Sequence, residues 1–481
     1  MGPSVSLASR AARGGAITML GQVAKVIVHV AGLVVLARLL TPSDFGVLAI
    51  ATIITGVGEI IRDFGLSSAA MQSRTLSVQQ RSNLFWLNLA VGVFLCGVCL
   101  ALAAPIGAVY EHPAVGSALV ALAITFALNG AQTQYQAELA RSMRYVALTI
   151  TDILSLVAGF GVAVGLALVG VGYWALVGQL ITIAVIRLVA RIAATQWIPG
   201  IPRRAPMADL VRFGVNVTVT QLIVFLSSNV DRLILGFQSS TRVVGLYQQS
   251  FQLVMTPLSQ VFPPMLSVAL PVLSRVQGDA GRYGRYIVTA QRALSLPLAA
   301  VFACAVAASE PLITIALGEQ WGEAAPFFRV LAVAGLFQSL TYVTYWVFLS
   351  RGLTGSNMRF SLISRAAIAV FVAIGALWGP LGVAVGYAVG MSAAWPFSLW
   401  WLSRVTELPV KRLLAGGVRT VALAATAVGA ASVAVLPFNG SWPSLVASAL
   451  AVLLTFTAGA LVPAVRSDYV DVFRVLVLIR K

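Results

Sequence analysis

The chain has 481 residues, of which 59% are hydrophobic and only 10% are charged, whereas about a quarter of the residues in a soluble globular protein are charged. A chain of this composition cannot cover itself with polar groups, which excludes a water-soluble fold and makes lipid the solvent for much of it. The net charge of +17 does not indicate nucleic-acid binding, because the basic residues lie in small groups between apolar runs.

Apolar runs of spanning length, for which about 20 residues are needed, follow one another along the chain. The first run comes after Arg10 and Arg13, and it is too long for the apolar part of a signal peptide, so we expect it to be retained as a span. The run at 243–272 is overlong and carries several prolines, which predicts a bent helix that extends past the bilayer. The predicted spans are 15–37, 45–61, 83–104, 115–132, 148–169, 172–190, 213–235, 243–272, 293–308, 326–350, 360–378, 381–402, 418–436 and 443–465.

The basic residues indicate which way the spans run. If the N-terminus lies in the cytoplasm and every span reverses the chain, 27 of the 32 basic residues fall in cytoplasmic connections. Lys25 lies inside the first span, and the remaining four are external. A wrong number of spans would not give this split, because one missed helix exchanges the sides of every later connection. The sequence therefore predicts about fourteen transmembrane helices with both termini in the cytoplasm. The four external residues are Arg38, Arg232, Arg242 and Arg329.

Weak matches at a nearly constant offset indicate that the chain is built from two similar halves. Six spans in each half is an even number, so both halves enter the membrane in the same direction and form a parallel repeat. We predict an all-α fold with a six-helix lobe at 1–200, a second six-helix lobe at 208–405, and an extra helix pair with a cytoplasmic tail at 406–481. The matching positions are Gly15, Gln22 and Gly46 with Gly214, Gln221 and Gly245, and GYWALVG at 172–178 with GVAVGYA at 382–388.

The sequence offers no catalytic constellation. Cys96 and Cys99 form a C-x-x-C pair, but they lie in an apolar run without nearby His or further Cys ligands, which favours small apolar side chains over a redox or metal site. A Walker-type phosphate loop is missing, so ATP is not expected as the direct energy source. We therefore expect no catalytic residue, no metal and no cofactor, with energy drawn from a proton or sodium gradient.

Ionisable residues at membrane depth are costly and therefore mark functional sites or buried ion pairs. Lys25 lies near the middle of the first span, and Gln22 and His29 share its helix face. A cation at this place suits a phosphate group of a substrate, and the alternative is a structural pair with a carboxylate elsewhere. We favour binding, because no carboxylate of the same or an adjacent span is placed at that depth.

Charged groups near the predicted cytoplasmic ends of two other spans are further candidates. Glu59, Arg62 and Asp63, at the end of span two, fit a gate or a phosphate contact, with local charge balance as the alternative. Asp152, at the inner end of span five, fits an ion-coupling residue, and stabilisation of a helix N-terminus is the competing interpretation.

Span seven is unusually polar, and Gln221 and Asn229 are its candidate contacts to a substrate. Several of its polar residues share a helix face, which fits a hydrated cavity wall as well as a helix–helix seam. Asp231 and Arg232 stand together at its outer end as candidate gating or ion-coupling residues. Arg365, a turn or two into span eleven, either reaches inward to a substrate or extends to the membrane interface.

Several segments of the chain resemble the bacterial polysaccharide transporter family, that is, the Wzx-type flippases. The resemblance covers roughly 10–405 and implies two six-helix lobes, as in the multidrug/oligosaccharidyl-lipid/polysaccharide exporter superfamily. The segments are LARLLTPSDFGVLAIATIITGVGEIIRDFGLSSAAMQ at 36–72, LVRFGVNVTVTQLIVFLSSNVDRLILG at 210–236, VGLYQQSFQLVMTPLSQ at 244–260, GVGYWALV at 170–177 and GPLGVAVGYAVG at 379–390.

The resemblance also implies a function. Such a protein turns an undecaprenyl-diphosphate-linked oligosaccharide from the cytoplasmic to the periplasmic leaflet of the bacterial inner membrane, as a monomer that serves a polysaccharide polymerase and chain-length regulator. Basic residues in the cavity of related lipid II flippases hold the diphosphate, and Lys25 is the best match by position, ahead of Arg62 and Arg365. The alternatives are a multidrug antiporter of the same superfamily, which needs acidic cavity residues, and a membrane polysaccharide polymerase or ligase, which needs a large external loop.

Overall fold

The computed structural model describes residues 25–63, 77–203, 207–438 and 440–479. Over these ranges the chain is built from helices and has no strand, which confirms the all-α prediction. The helices form two compact units, and the division between them falls between Gly245 and Leu246. The lobe boundaries expected from the sequence stay a prediction.

The first unit contains nine of the helices and the start of a tenth. Helix α3 begins with a capping box, in which the Ser77 hydroxyl accepts from the Gln80 backbone N–H at 3.1 Å and the Gln80 side chain accepts from the Ser77 N–H at 3.0 Å. This reciprocal pair satisfies two backbone donors that the helix leaves free. The helices are α1 (25–39), α2 (Pro42–Asp63), α3 (Val78–Val109), α4 (Pro113–Leu122), α5 (Ile124–Arg141), α6 (Tyr145–Val169), α7 (Trp174–Thr195), α8 (Ala208–Ser228) and α9 (Val230–Gln238).

The second unit is formed by most of α10 and the helices that follow. Helix α10 is continuous over 35 residues although it contains four prolines. Helices α11 and α13 run through the core of this unit, and α13 buries Trp346 and Phe348 almost completely. The helices are α10 (Thr241–Arg275), α11 (Ala280–Ala307), α12 (Ser309–Leu317), α13 (Ala325–Ser350), α14 (Thr354–Gly375), α15 (Gly379–Val405), α16 (Val410–Val435), α17 (Ser441–Ala458) and α18 (Pro463–Ile479).

The chain is a multi-pass membrane protein. Eleven helical stretches of the described residues are long and apolar enough to cross a bilayer, and α8 and α9, bent by 53° at Asn229, add a broken twelfth. One of the eleven, Thr354–Val405, holds both α14 and α15. The count of fourteen stays a prediction, since the first expected span begins before residue 25. The two shortest predicted runs are 45–61, which falls within α2, and 293–308, which falls within α11 except for its last residue.

Helices α14 and α15 form a tight antiparallel pair that depends on glycine. A side chain on Gly375 would place its Cβ 2.1 Å from the carbonyl oxygen of Gly382, and one on Gly386 would lie 2.3 Å from the carbonyl oxygen of Phe371. Small residues let the helix backbones approach closely, which is how helices associate in lipid. The 52-residue stretch therefore turns back at 376–378 and consists of two spans.

Contacts within the first unit group its connections into two ends, as the alternation of spans predicts. At one end, Arg81 pairs with Glu138 at 2.8 Å and Arg144 donates to the carbonyl oxygen of Ala194 at 2.9 Å. At the other end, the hydroxyl of Thr241 lies 3.1 Å from His112 Nε2 and 2.8 Å from the hydroxyl of Ser43. The basic end is the one that the charge pattern assigns to the cytoplasm.

The segment 196–203, which has no regular secondary structure, lies along the first turns of α3 and is held there by side chains. Asn83 donates to the carbonyl oxygen of Arg203 at 2.6 Å and accepts from its N–H at 3.1 Å. Trp86 donates to the Gly200 carbonyl oxygen at 2.9 Å, and Ser82 accepts from the Gly200 N–H at 3.0 Å. These bonds satisfy backbone groups that no helix or sheet pairs, so the segment is fixed to the first unit.

Helix α18 is attached to the second unit by a buried carboxylate. The side chain of Asp468 is 3% exposed, and it accepts from Nε and Nη2 of Arg419 at 2.9 Å each. Nε of Arg292 lies 2.9 Å from the same carboxylate. Tyr469 adds a hydrogen bond from its hydroxyl to the carbonyl oxygen of Phe456 at 2.6 Å. A helix that follows the last span is therefore anchored to α11 and α16 by charge.

Candidate functional site

Four charged side chains from three helices meet inside the first unit. Lys25 lies on α1, Asp152 on α6, and Arg187 and Arg191 on α7. We name these four residues the basic cluster. It contains three cations and one carboxylate, which leaves two positive charges in excess.

The carboxylate of Asp152 is shared by all three cations. Lys25 Nζ lies 2.6 Å from Oδ2, and Arg191 Nη2 donates to Oδ1 at 2.9 Å. Arg187 Nε is 3.6 Å from Oδ1, which is within reach of an ion pair but beyond a well-formed hydrogen bond. Both oxygens of this single carboxylate are therefore engaged, and no second carboxylate balances the cations in the described part of the cluster.

The helices place the basic cluster one to two turns along α6 and α7 from the basic end of the unit rather than at the helix tips. Asp152 is the eighth residue of α6, about 10 Å along the axis at the rise of an α-helix, and Arg191 stands about 6 Å before the end of α7 at Thr195. Because Arg187 is one turn deeper, the two guanidinium groups share one face of α7. Arg191 therefore lies closer to the basic end of the unit than Arg187 does.

Arg191 is the most enclosed member of the cluster, with 4% of its side chain exposed. Its Nη1 donates to Oε1 of Gln132 and of Gln136 on α5, at 2.9 Å each. Nε of Arg191 and Nε of Arg187 are buried and donate no hydrogen bond to any described residue. Because buried donors without an acceptor are costly, these two groups leave the cluster with capacity for a further anionic acceptor.

A chain of polar side chains continues from the basic cluster to the end of α2. Gln132 Nε2 donates to Asn129 Oδ1 at 2.7 Å, and Asn129 Nδ2 donates to Glu59 Oε1 at 2.7 Å. Glu59 Oε2 in turn accepts from Arg62 Nε at 2.7 Å, and Arg62 also donates to the Asn129 carbonyl oxygen at 3.0 Å. The predicted group at the end of span two is thus linked to Arg191 by hydrogen bonds.

Lys25 and Asp152 form an ion pair, which changes how both residues are interpreted. The alternative of a carboxylate elsewhere is the one that the structure realises, because α6 brings Asp152 to Lys25 from a span that is not its neighbour in sequence. Stabilisation of a helix N-terminus by Asp152 is wrong, since the first turn of α6 contains no acidic residue. The roles of Lys25 in substrate binding and of Asp152 in ion coupling stay predictions.

Sequence reasoning missed the two arginines of α7 as site residues. It assigned Arg187 and Arg191 to a cytoplasmic connection, whereas α7 continues to Thr195 and holds both. The signal was present, because two arginines four residues apart inside an apolar run must share a helix face. Gln132 and Gln136 show the same spacing on α5 and were missed as well.

The predicted polar candidates are Gln22, His29, Gln221 and Asn229. Gln22 lies outside the described residues. His29, one turn after Lys25, is exposed, and Gln221 on α8 is exposed too. Asn229 is buried at the bend between α8 and α9, where its amide donates to the Phe225 carbonyl oxygen at 2.8 Å.

Four further charged candidates lie on α2, α9 and α14. Arg232 Nη1 donates to Asn229 Oδ1 at 2.7 Å, next to Asp231, which is 1% exposed. Asp63 is half-buried at the end of α2. Arg365 is half-buried on α14 of the second unit.

The chain is similar to several known proteins. Residues 35–326 match the family described as "Polysaccharide biosynthesis protein". The chain is 23% identical to the lipopolysaccharide biosynthesis protein WzxC of Escherichia coli K12, with 76% of each chain covered. It is 24% identical to the succinoglycan biosynthesis transport protein ExoT of Rhizobium meliloti, with 72% of this chain and 70% of that protein covered.

A solved structure shares the fold. The lipid II flippase MurJ in an inward closed conformation superimposes with a TM-score of 0.70, covering 93% of this chain and 98% of that one at 12% identity. An identity this low shows the arrangement of helices alone. It agrees with the predicted all-α architecture of a multi-pass membrane protein.

Proposed function

Because the chain belongs to the family of polysaccharide biosynthesis proteins, we propose that it is a flippase for an undecaprenyl-diphosphate-linked oligosaccharide. The chain is a membrane transporter and not an enzyme, as its family and its relatives indicate. In this proposal it lies in the bacterial inner membrane with both termini in the cytoplasm. It moves the sugar headgroup to the external leaflet by alternating access, for the synthesis of lipopolysaccharide or another surface polysaccharide.

The basic cluster is the observation that carries this proposal. A diphosphate diester has two negative charges, and the cluster has two positive charges in excess. Guanidinium groups present several donors in one plane and suit phosphate oxygens. Because charged side chains at membrane depth are rare and costly, an uncompensated pair of cations on spanning helices supports a role in binding an anion.

The polar relay from Arg191 to Glu59 supports the same function for a sugar headgroup. An oligosaccharide offers hydroxyl groups that need partners once water is removed. The amides of Gln132, Gln136 and Asn129 stand beside the cations, and amides both donate and accept hydrogen bonds. In this proposal the cations hold the diphosphate and the amides contact the first sugars.

The driving force in this proposal is an ion gradient or the membrane potential. The potential, negative inside, moves an anion outward and contributes about 2.3 kcal/mol per charge per 100 mV. A proton or sodium ion would act at the carboxylates near the cluster, Asp152 or Glu59, or at Asp231. No cofactor takes part, and the protein works as a monomer that passes its product to a polysaccharide polymerase and a chain-length regulator.

The basic cluster argues against a multidrug antiporter. Such a protein binds cations and needs an acidic site, whereas Asp152 is already surrounded by three cations. A cationic drug that approached Asp152 would meet a net positive charge. The sign of the site therefore separates the two functions within one fold.

Reconstitution in vesicles tests the proposal. Purified protein is placed in proteoliposomes with a lipid-linked oligosaccharide, and the sugar that reaches the outer leaflet is removed by an added glycosidase. We expect the wild-type protein to expose the sugar at least tenfold faster than empty vesicles, and Lys25→Ala to abolish this while remaining in the membrane. Movement of cationic dyes without movement of the lipid-linked sugar would replace the proposal with the antiporter.

A further inference from the structure

The carboxylate of Asp152 lies among three cationic side chains, the position that a bound anion would take. Its two oxygens receive Lys25 Nζ at 2.6 Å and Arg191 Nη2 at 2.9 Å, with Arg187 Nε at 3.6 Å. These are the same donors that a phosphate group would use. The carboxylate and a phosphate of the substrate therefore compete for one set of cations.

We propose that Asp152 is an internal counter-ion that competes with the substrate diphosphate and so sets the affinity of the basic cluster. The inference rests on the proposed function and assigns a specificity-determining role to one residue. Without a ligand, Asp152 holds the three cations together. When a diphosphate arrives, its oxygens take over donors from the carboxylate, and when it leaves, the carboxylate takes them back.

The geometry favours such an exchange over a permanent structural pair. The side chains of Asp152 and Lys25 are 24% and 25% exposed, so the pair is open to a ligand. The Nε groups of both arginines lack an acceptor among the described residues, which leaves donors for a second anion. By contrast, Asp468 is 3% exposed and receives both Nε and Nη2 of Arg419, the geometry of a closed structural pair.

Competition by a fixed carboxylate solves a physical problem of transport. A transporter that bound its substrate through three uncompensated cations would release it slowly, because each interaction gained in binding is lost again on release. Asp152 replaces the departing anion and lowers the cost of leaving the cations unpaired. The residue therefore weakens binding and speeds release.

A series of charge variants tests the proposal by the binding of inorganic diphosphate to the purified full-length protein in lipid nanodiscs. The net charge of the cluster is one in Lys25→Gln, two in the wild type and in Lys25→Gln/Asp152→Asn, and three in Asp152→Asn. We expect Asp152→Asn to bind diphosphate at least tenfold more tightly than the wild type and Lys25→Gln at least tenfold more weakly. The double variant should bind within about threefold of the wild type, and Asp152→Glu should restore wild-type binding.

A matched control and a second measurement keep the test sharp. Glu138→Gln removes a carboxylate of similar exposure from the pair with Arg81, and it should leave diphosphate binding unchanged. If Asp152→Asn is poorly folded alone, diphosphate should raise its melting temperature more than that of the wild type, because a ligand stabilises the state that it binds. In vesicles, Asp152→Asn should also move lipid-linked sugar more slowly.

The proposal is overturned if Asp152→Asn binds diphosphate no more tightly than the wild type, or if neither protein binds it. Failure of the proposed function is a separate result. In that case wild-type vesicles would not expose a lipid-linked sugar, although diphosphate binding would still follow the charge of the cluster.

Discussion

Gly46 and Gly245 lie against each other although 199 positions separate them in the chain, and each faces a backbone carbonyl of the other's helix. A Cβ on Gly46 would lie 1.7 Å from the Thr241 carbonyl oxygen, and one on Gly245 would lie 1.8 Å from the Pro42 carbonyl oxygen. Pro42 and Thr241 are also 199 positions apart. The contact is therefore reciprocal between two positions that the sequence pairs at one offset, and the repeat itself stays a prediction.

We expect Gly46→Ala and Gly245→Ala each to destabilise the protein by about 1–3 kcal/mol, the usual cost of forcing a methyl group into a filled space. The added methyl group has no room beside the facing backbone, so α2 and α10 must separate. Thermal unfolding of the purified protein measures the effect. Gly97→Ala on α3, where nothing lies within 4 Å of the new Cβ, is the control, and equal melting temperatures for all three variants would contradict the prediction.

Asp468→Asn should release α18 from the second unit. The substitution leaves Arg292 and Arg419 without a carboxylate in a buried place, and breaking a buried ion pair costs about 3–5 kcal/mol. We expect faster proteolysis within 463–479 and a lower melting temperature. Asp279→Asn is the control, because Asp279 caps α11 from an exposed position and Asn caps a helix nearly as well. Unchanged proteolysis of α18 in Asp468→Asn would show that the ion pair does not hold it.

The order of helices follows from the sequence because the signals for spans are local and strong. Even the short run 45–61 is part of a helix of 22 residues, Pro42–Asp63. A continuous apolar run of about 20 residues crosses lipid as a helix, because a helix satisfies its own backbone groups where no water is present. The basic residues then orient the spans without any knowledge of packing.

The candidate site could be predicted only in part, because it depends on contacts between residues that are distant in the chain. Lys25 and Asp152 were both recognised as costly residues, but their pairing joins positions 127 apart, and helical periodicity says nothing about which spans are neighbours. Arg191 was missed because an arginine near the end of a span looks like a flanking charge. The segment 196–203 is held by side chains of α3 that are more than 110 positions away in the chain. No local sequence pattern reveals such a contact.

Asn83→Ala should free the segment 196–203 from α3. The variant loses two hydrogen bonds to the backbone of Arg203, each worth about 0.5–1.5 kcal/mol. We expect trypsin to cut after Arg203 several times faster than in the wild type. Ser117→Ala, at the opposite end of the unit, removes a single bond to the Pro113 carbonyl oxygen and should leave the cleavage rate unchanged. Equal cleavage rates for Asn83→Ala and the wild type would mean that the segment 196–203 stays on α3 without this residue.

The two ends of the first unit should face opposite sides of the membrane. Arg144 and Ala194 meet at the basic end, whereas His112 and Thr241 meet at the other end. The side on which one end lies therefore determines the side of the other end. We expect reporter fusions after Arg203 to be active in the cytoplasm and fusions after Glu111 to be active outside, because the inner leaflet retains basic connections. An external reporter after Arg203, or reporters on the same side at both positions, would invert or break the predicted topology. An external reporter after Arg203 would also place the basic end, near which the basic cluster lies, on the wrong side for a substrate made in the cytoplasm.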